Sequence, residues 1–225
     1  MTCNTFRIAL PALLLVTAVP VSAQTEDHAP VSLKSSQKMM QDKPGSESWT
    51  YAQPTSVFQK YRTLIVDPTV VYQGPDAQFE GIEPADRARF AQIITDELRS
   101  EMAQSFPSPA KPQADTMRLK VTLLGAEKTK GGIATATRVT PFGFATSAVK
   151  SALGKTGSFT GSVLYAVELT DARTGELLIA AVRRRTPDPL DVPATLSTTD
   201  TIKAVSRDFA NSARKRLVEL TGAPK

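Results

Sequence analysis

Between residues 117 and 123 the chain reads Met-Arg-Leu-Lys-Val-Thr-Leu, apolar and polar in strict alternation. Successive side chains of a strand point to opposite faces, so Met117, Leu119, Val121 and Leu123 belong to one buried face and Arg118, Lys120 and Thr122 to the other. A second alternating run places Phe159, Val163, Tyr165, Val167 and Leu169 on one face. It meets the apolar stretch Leu177 to Val182 across Asp171-Ala172-Arg173-Thr174-Gly175-Glu176, which predicts a β-hairpin with a Gly-containing turn. Strands of this kind have to be covered on their apolar face.

Two segments have the period to do so. Pro84 sits where a first helical residue would, and Phe90, Ile94, Leu98 and Met102 recur every four positions with Ile93 beside them, predicting a helix from about Pro84 to Gln104 that Pro107, Pro109 and Pro112 bring to an end. Near the other end, Ser197-Thr198-Thr199-Asp200 is a capping signal, followed by Ile202, Val205, Phe209, Ala213 and Leu217 before Gly222. Ahead of the first helix, Tyr61 to Val66 reads as a strand continuing past Pro68 through Thr69 to Tyr72, with Pro68 at an edge or bulge, and Gln73 to Glu83 reads as a loop. The order β-α-β-β-β-α predicts an α+β fold, a two-layer sandwich of two helices on a mainly antiparallel sheet of four to five strands. With 225 residues there is one such domain, over residues 55–225, and no room for a second full core.

The start of the chain predicts export. A short opening carrying Arg7, an apolar run from Ile8 to Val21 and the small residues Val21-Ser22-Ala23 make a signal peptide over residues 1–23, cleaved after Ala23. Pro11 and Pro20 interrupt the run, which falls short of the roughly 20 residues a bilayer requires. Cys3 precedes the run and is removed with it, so the mature chain is expected to be thiol-free and not lipidated, in the periplasm or peripheral to the inner or outer membrane. Residues 24–54 are polar with no sustained period and read as a mobile leader. Trp49 and Tyr51 at its end pin it to the domain or, on a sharper reading, offer an aromatic ligand platform.

The chemistry-bearing residue types are scarce. One Cys, Cys3, and one His, His28, argue against Cys-His and Ser-His-Asp enzymes. A formal charge of +5 is mildly basic and predicts no nucleic-acid partner. Gly154-Lys155-Thr156 resembles the end of a phosphate loop, but Val149 stands where that loop needs glycine, and a strand follows where a helix is needed. Ser147-Ala148-Val149-Lys150 fits S-x-x-K and Lys155-Thr156-Gly157 fits K-T-G, yet the two are nearly consecutive and no Ser-Asp-Asn lies between them. Asp76, Glu80, Glu83 and Asp86 suit the start of a helix, where negative charge is favoured, and their spacing cannot establish a glycosidase pair. Arg183-Arg184-Arg185 and Arg214-Lys215-Arg216 read as solvated faces. No catalytic, cofactor or metal-binding residue is assigned.

One segment stands out. About 30 residues from Lys128 to Gly157 join two strands that would ordinarily be joined by a few. The segment carries Gly131-Gly132, Ile133-Ala134-Thr135-Ala136-Thr137 and Pro141-Phe142-Gly143-Phe144, and its charged residues are all basic: Lys128, Lys130, Arg138, Lys150 and Lys155. Small and apolar residues with basic charge suit an anionic membrane surface or a protein partner, with Lys128, Lys130, Arg138, Phe142, Phe144, Lys150 and Lys155 as the contact candidates. The plainer alternative is extra sheet and helix folded back on the core.

Phe58 and Tyr61 leading into Val66-Asp67-Pro68, the Asp115-Thr116-Met117-Arg118-Leu119 opening of the second strand, and Asp171 with Thr174-Gly175-Glu176 in the hairpin resemble an uncharacterised bacterial envelope family, domain of unknown function 3313. The likeness runs from about Tyr51 to Leu220. It implies an envelope protein, many members being lipoproteins, and supplies no activity, cofactor or catalytic residue. The chain lacks their cysteine after the signal. Together these readings point to an exported, non-enzymatic protein acting by binding or assembly. The competing class is a periplasmic hydrolase of cell-wall or ester substrates that uses carboxylates or Ser147 with Lys150, and a third reading is a structural subunit of a homo-oligomer. The sequence sets no oligomeric state.

Overall fold

A computed structural model describes residues 32–44, 48–129, 161–188 and 197–224. In chain order the strands and helices are β1 (Met40–Gln41), β2 (Ser48–Ala52), β3 (Thr63–Val66), β4 (Val70–Val71), α1 (Pro84–Met102), β5 (Thr116–Glu127), β6 (Ser162–Asp171), β7 (Leu177–Arg185) and α2 (Thr198–Thr221), with 3-10 turns at Lys34–Lys38 and Thr55–Lys60. The sheet runs β1-β2-β7-β6-β5-β3, and β4 lies beside β5 further along the same edge. Among the described strands, β3 and β4 pair with β5 in parallel, with Leu64 opposite Met117 and Val70 opposite Thr122, because α1 carries the chain back between them and β5. The other pairings are antiparallel.

The α+β architecture is the expected one, two helices on a mostly antiparallel sheet, but among the described residues the sheet has seven strands rather than four to five. Pro68, which has no N–H to give a ladder, divides the expected first strand into β3 and β4. The other additions come from the supposed leader. Ser48–Ala52 pairs with β7 from Ser48 opposite Arg183 to Ala52 opposite Ile179, and the Gln53 N–H extends the ladder to the Leu178 carbonyl at 2.8 Å. Within the described residues, then, the 24–54 stretch belongs to the fold. Trp49 and Tyr51 do pin it, by packing on the sheet beside Met39 and Leu33.

Each face of the sheet has its own apolar cluster. On the helix side, Met117, Leu119, Val121 and Leu123 of β5 meet Phe90, Ile94, Leu98 and Met102 of α1 and Ile202, Val205 and Leu217 of α2. A bulge between Leu123 and Gly125 then breaks the alternation and turns Leu124 to the other side. There it joins Leu164, Ala166, Ala180 and Val182 under Met39 and Tyr72. The C-terminal half of β5 is therefore buried on both faces, which its sequence pattern alone does not foretell.

Gly125 is required by a close approach. A Cβ on it would lie 2.5 Å from the Gln78 carbonyl oxygen, which itself accepts the Ala126 N–H at 3.0 Å. At α2 the capping signal reads as expected: the Ser197 hydroxyl accepts the Asp200 N–H at 3.2 Å and donates to the Asp200 carboxylate at 2.6 Å, and Gly222 ends the helix at φ +68°. The helices are fastened to each other by Arg214 Nε on Glu101 Oε1 at 2.7 Å. Arg62 donates to the Thr221 carbonyl at the C-terminal end of α2, where positive charge suits the helix dipole.

Candidate functional site

Side chains of consecutive strand residues point to opposite faces, so β7 splits the run Arg183-Arg184-Arg185 instead of offering it as one solvated patch. Arg183 and Arg185 fall on the helix side, opposite and beside Tyr165, and Arg184 falls on the other side, opposite Leu164. Arg183 donates to the Trp49 carbonyl at 2.9 Å and to Thr50 Oγ1 at 2.6 Å, and pairs with Asp42 at 3.1 Å, so it binds β2 to β7. Burial raises the pKa of the Tyr165 hydroxyl, and the positive charge of nearby Arg185 partly holds it back.

Arg184 forms one wall of a cleft of about 380 Å³ at the end of the sheet, lined also by Gln78, Phe79, Glu80, Ala126 and Glu127. Its guanidinium reaches Ser162 Oγ at 2.7 Å, Glu127 Oε1 at 3.2 Å and Gln78 Oε1 at 2.5 Å. An arginine held on three sides keeps its planar fork oriented at little further entropic cost. The cleft is of mixed polarity, with Glu80 and Glu127 facing Arg184, and suits hydrogen-bonded recognition.

This is also the end from which the long basic segment departs. β5 and β6 stay paired as far as Glu127 opposite Ser162, so the two described ends of the connection lie side by side. The first is tied to the start of α2: the Thr129 N–H donates to Thr198 Oγ1 at 3.1 Å, and its hydroxyl lies 2.6 Å from that of Thr201. Gly161, at φ +73°, brings the chain back against Thr129, where a Cβ would sit 2.5 Å from Thr129 Oγ1. Lys128 is exposed and its aliphatic stem runs over Gly81. Of the predicted contact residues, Lys128 is thus placed at this end of the sheet. Lys130, Arg138, Phe142, Phe144, Lys150 and Lys155 lie outside the described residues, as do His28, Ser147 and the Lys155-Thr156-Gly157 triplet. Sequence reasoning did not single out Gln78 or Ser162, and no local signal marks them.

A second polar centre lies at the opposite end of the sheet. Asp171, almost fully buried, accepts the Tyr61 hydroxyl at 2.9 Å, the Arg173 and Thr174 N–H groups at 2.9 and 3.0 Å, and Lys60 at 3.4 Å. Burial pushes this carboxyl up, but the Thr174 and Arg173 amides, the Tyr61 hydroxyl and the Lys60 ammonium outweigh it and hold its pKa at about 2. Burial first, and the hydrogen bond to Asp171 second, push the Tyr61 hydroxyl well above its ordinary value. Neither group exchanges a proton near neutral pH, so the pair is a structural clasp. Of the expected helix-start carboxylates, Asp76 accepts the Tyr72 hydroxyl at 2.7 Å, Glu80 lines the Arg184 cleft, Glu83 stands at the N-cap position of α1 and Asp86 lies in its first turn. Among the described residues no group of three His, Cys, Asp or Glu could hold a metal ion, and no helix is long and apolar enough to cross a membrane.

Residues 31–213 match a family model described as Protein of unknown function (DUF3313), in agreement with the resemblance carried by the strand and hairpin residues. No curated protein matches the chain. Among solved structures, two dodecamers of PelC from Paraburkholderia phytofirmans are similar. One, a single-residue variant, is 12% identical with a TM-score of 0.40, covering 76% of this chain and 95% of that one. The other is 14% identical with a TM-score of 0.38, covering 79% and 98%. A structure described as a putative lipoprotein from Caulobacter crescentus is 13% identical with a TM-score of 0.32, covering 73% and 92%. Backbone agreement at this level carries nothing over to this chain about assembly, lipidation or ligands.

Proposed function

Since the chain belongs to the DUF3313 family, whose function is unknown, we propose from its own residues that it is an exported, non-enzymatic envelope protein that works by binding or assembly, in the periplasm or at a membrane surface. The observation supporting this is the pairing of Glu127 with Ser162 at the end of the sheet, together with the attachment of Thr129 to α2. It sets the two described ends of the long connection side by side at one end of the sheet, with exposed Lys128 beside the Arg184 cleft. Every charged residue of the connecting sequence from Lys128 through Gly157 is basic. Electrostatic attraction to an anionic surface and burial of small apolar and aromatic side chains add in such a segment, and Lys130, Arg138, Phe142, Phe144, Lys150 and Lys155 are its contact residues with Lys128.

Flotation of the purified protein with vesicles containing anionic phospholipid, across a salt series, tests this reading. The control replaces residues 130–155 with a short Gly-Ser linker. The intact chain is expected to float at low salt and lose binding as salt rises, while the folded shortened chain stays at the bottom. If both float alike, the segment is not the contact element. If neither floats, the membrane reading falls, and crosslinking in intact cells then asks whether the segment meets an envelope protein.

A further inference from the structure

Among the described residues, the sheet is wider than the two helices that pack on it. α1 and α2 pack on each other and over the β3, β5 and β6 side, leaving an open groove of about 210 Å³ between α2 and the helix-side face of β6 and β7. Val167, Ile179 and Ala181 form its floor, and Phe209 and Ala213 of α2 form its wall. Val167, Ile179, Phe209 and Ala213 pack against the main core yet are only partly buried. The Tyr165 ring, its centroid 4.6 Å from that of Phe209, closes one end.

The charged residues that line this apolar strip are all basic. Arg183, Arg185 and Arg216 line the groove, and no carboxylate is among its described lining residues. Arg183 is committed to Asp42 and to β2. The partner of Arg216 is Glu219, with both side chains about two-thirds exposed (64% and 66%), an arrangement that contributes little. Arg185 is exposed and lines the groove at the Tyr165 end of the apolar floor, one strand residue-pair beyond Arg183. An apolar trough with arginine at its end and no carboxylate among its described lining residues fits a ligand with a hydrocarbon tail and a planar anionic head, since a carboxylate can accept two parallel N–H bonds from arginine. The groove is about 210 Å³ and open along one side, a shape that takes a single hydrocarbon chain laid along its floor.

We propose that this groove binds a medium-chain fatty acid, with its tail along Val167, Ile179 and Phe209 and its carboxylate on Arg185. The site is separate from the basic segment and does not depend on vesicle binding. Titration calorimetry of the purified protein with sodium decanoate below its micellar concentration tests it, beside decyltrimethylammonium, which has the same tail and the opposite charge. Decanoate is expected to bind one to one and at least tenfold more tightly than the cation. Arg185→Gln should weaken it at least tenfold, and Ala181→Leu, which fills the floor, should do the same. Ala213→Leu on the opposite wall serves if Ala181→Leu does not melt like the wild type. Absence of saturable decanoate binding, equal affinity for the cation, or unchanged affinity in folded Arg185→Gln and the folded filling variant would each overturn the assignment. The last two of these outcomes would show a merely apolar surface, one that a second copy or another protein would cover.

Discussion

The Tyr61 hydroxyl donates to Asp171 Oδ2 at 2.9 Å across 110 residues of sequence, joining the turn before β3 to the turn between β6 and β7. Asp171 thereby does two jobs. One oxygen caps the hairpin turn through the Arg173 and Thr174 amides, and the other holds the distant tyrosine and Lys60.

Stability should depend on pH through this carboxylate. Its folded pKa of about 2 is below the ordinary 3.8, so the ionised form is the one that folding favours. The contribution is complete above the unfolded value and is lost as pH falls through the folded one, roughly from pH 5 down to pH 2. Urea unfolding of Asp171→Asn should show a loss of about 2 kcal/mol near neutral pH that shrinks towards zero at about pH 2. A deficit that stays constant over that range would show that the carboxylate's charge is not what the clasp uses.

Gly125→Ala should destabilise the protein by about 1–3 kcal/mol, because the added methyl meets the Gln78 backbone at 2.5 Å and a backbone atom cannot swing aside. The urea midpoint should fall with little change in slope. Wild-type stability in this variant would mean that the bulge opens freely and that Gln78 is not held there.

Ser197→Ala should cost about 1 kcal/mol, since the first turn of α2 loses its acceptor for the Asp200 N–H. Ser197→Asp should restore most of it. Equal losses in both variants, read from thermal melts, would locate the effect in something other than the cap.

Deleting residues 24–44 should uncover the second apolar cluster, in which Met39 and Leu33 pack with Tyr72, Leu124 and Leu164. The truncated chain is expected to bind a hydrophobic dye, melt lower and show red-shifted emission from Trp49, the single tryptophan. Unchanged emission and melting would mean that the segment adds nothing to this face.

The readable parts of the fold were those whose signal is local. The alternation of Met117 to Leu123, the four-residue spacing of Phe90 to Met102, and Ser197 and Gly222 at the ends of α2 each act over one or two turns or a few strand residues, and each is realised. What escaped was set by distant partners. Ser48–Ala52 is a strand because β7 lies beside it, and its own five residues carry only Trp49 and Tyr51 as a hint. Leu124 follows directly on the alternating run, and the bulge that turns it towards Tyr72 has no mark in the run itself. Arg184 parts company with Arg183 and Arg185 by parity alone, which could have been read from the strand pattern, but its partners Gln78 and Ser162 come from other elements. For the same reason the hairpin turn at Asp171 was legible while its bond to Tyr61 was not.

The pairing of β2 with β7 also sets an order of events. β5, β6 and β7 follow one another along the chain and pair with their sequence neighbours, whereas Trp49 waits for Arg183, 134 residues later. Contacts closed over such a span are slow to form, because the loop entropy is lost before the contact repays it. The Glu101–Arg214 link between the helices is delayed in the same way, by 113 residues. A chain emerging from its N-terminus therefore carries Trp49 and Tyr51 unpaired until residue 185 has followed, and the strand synthesised among the earliest is among the last to join the sheet.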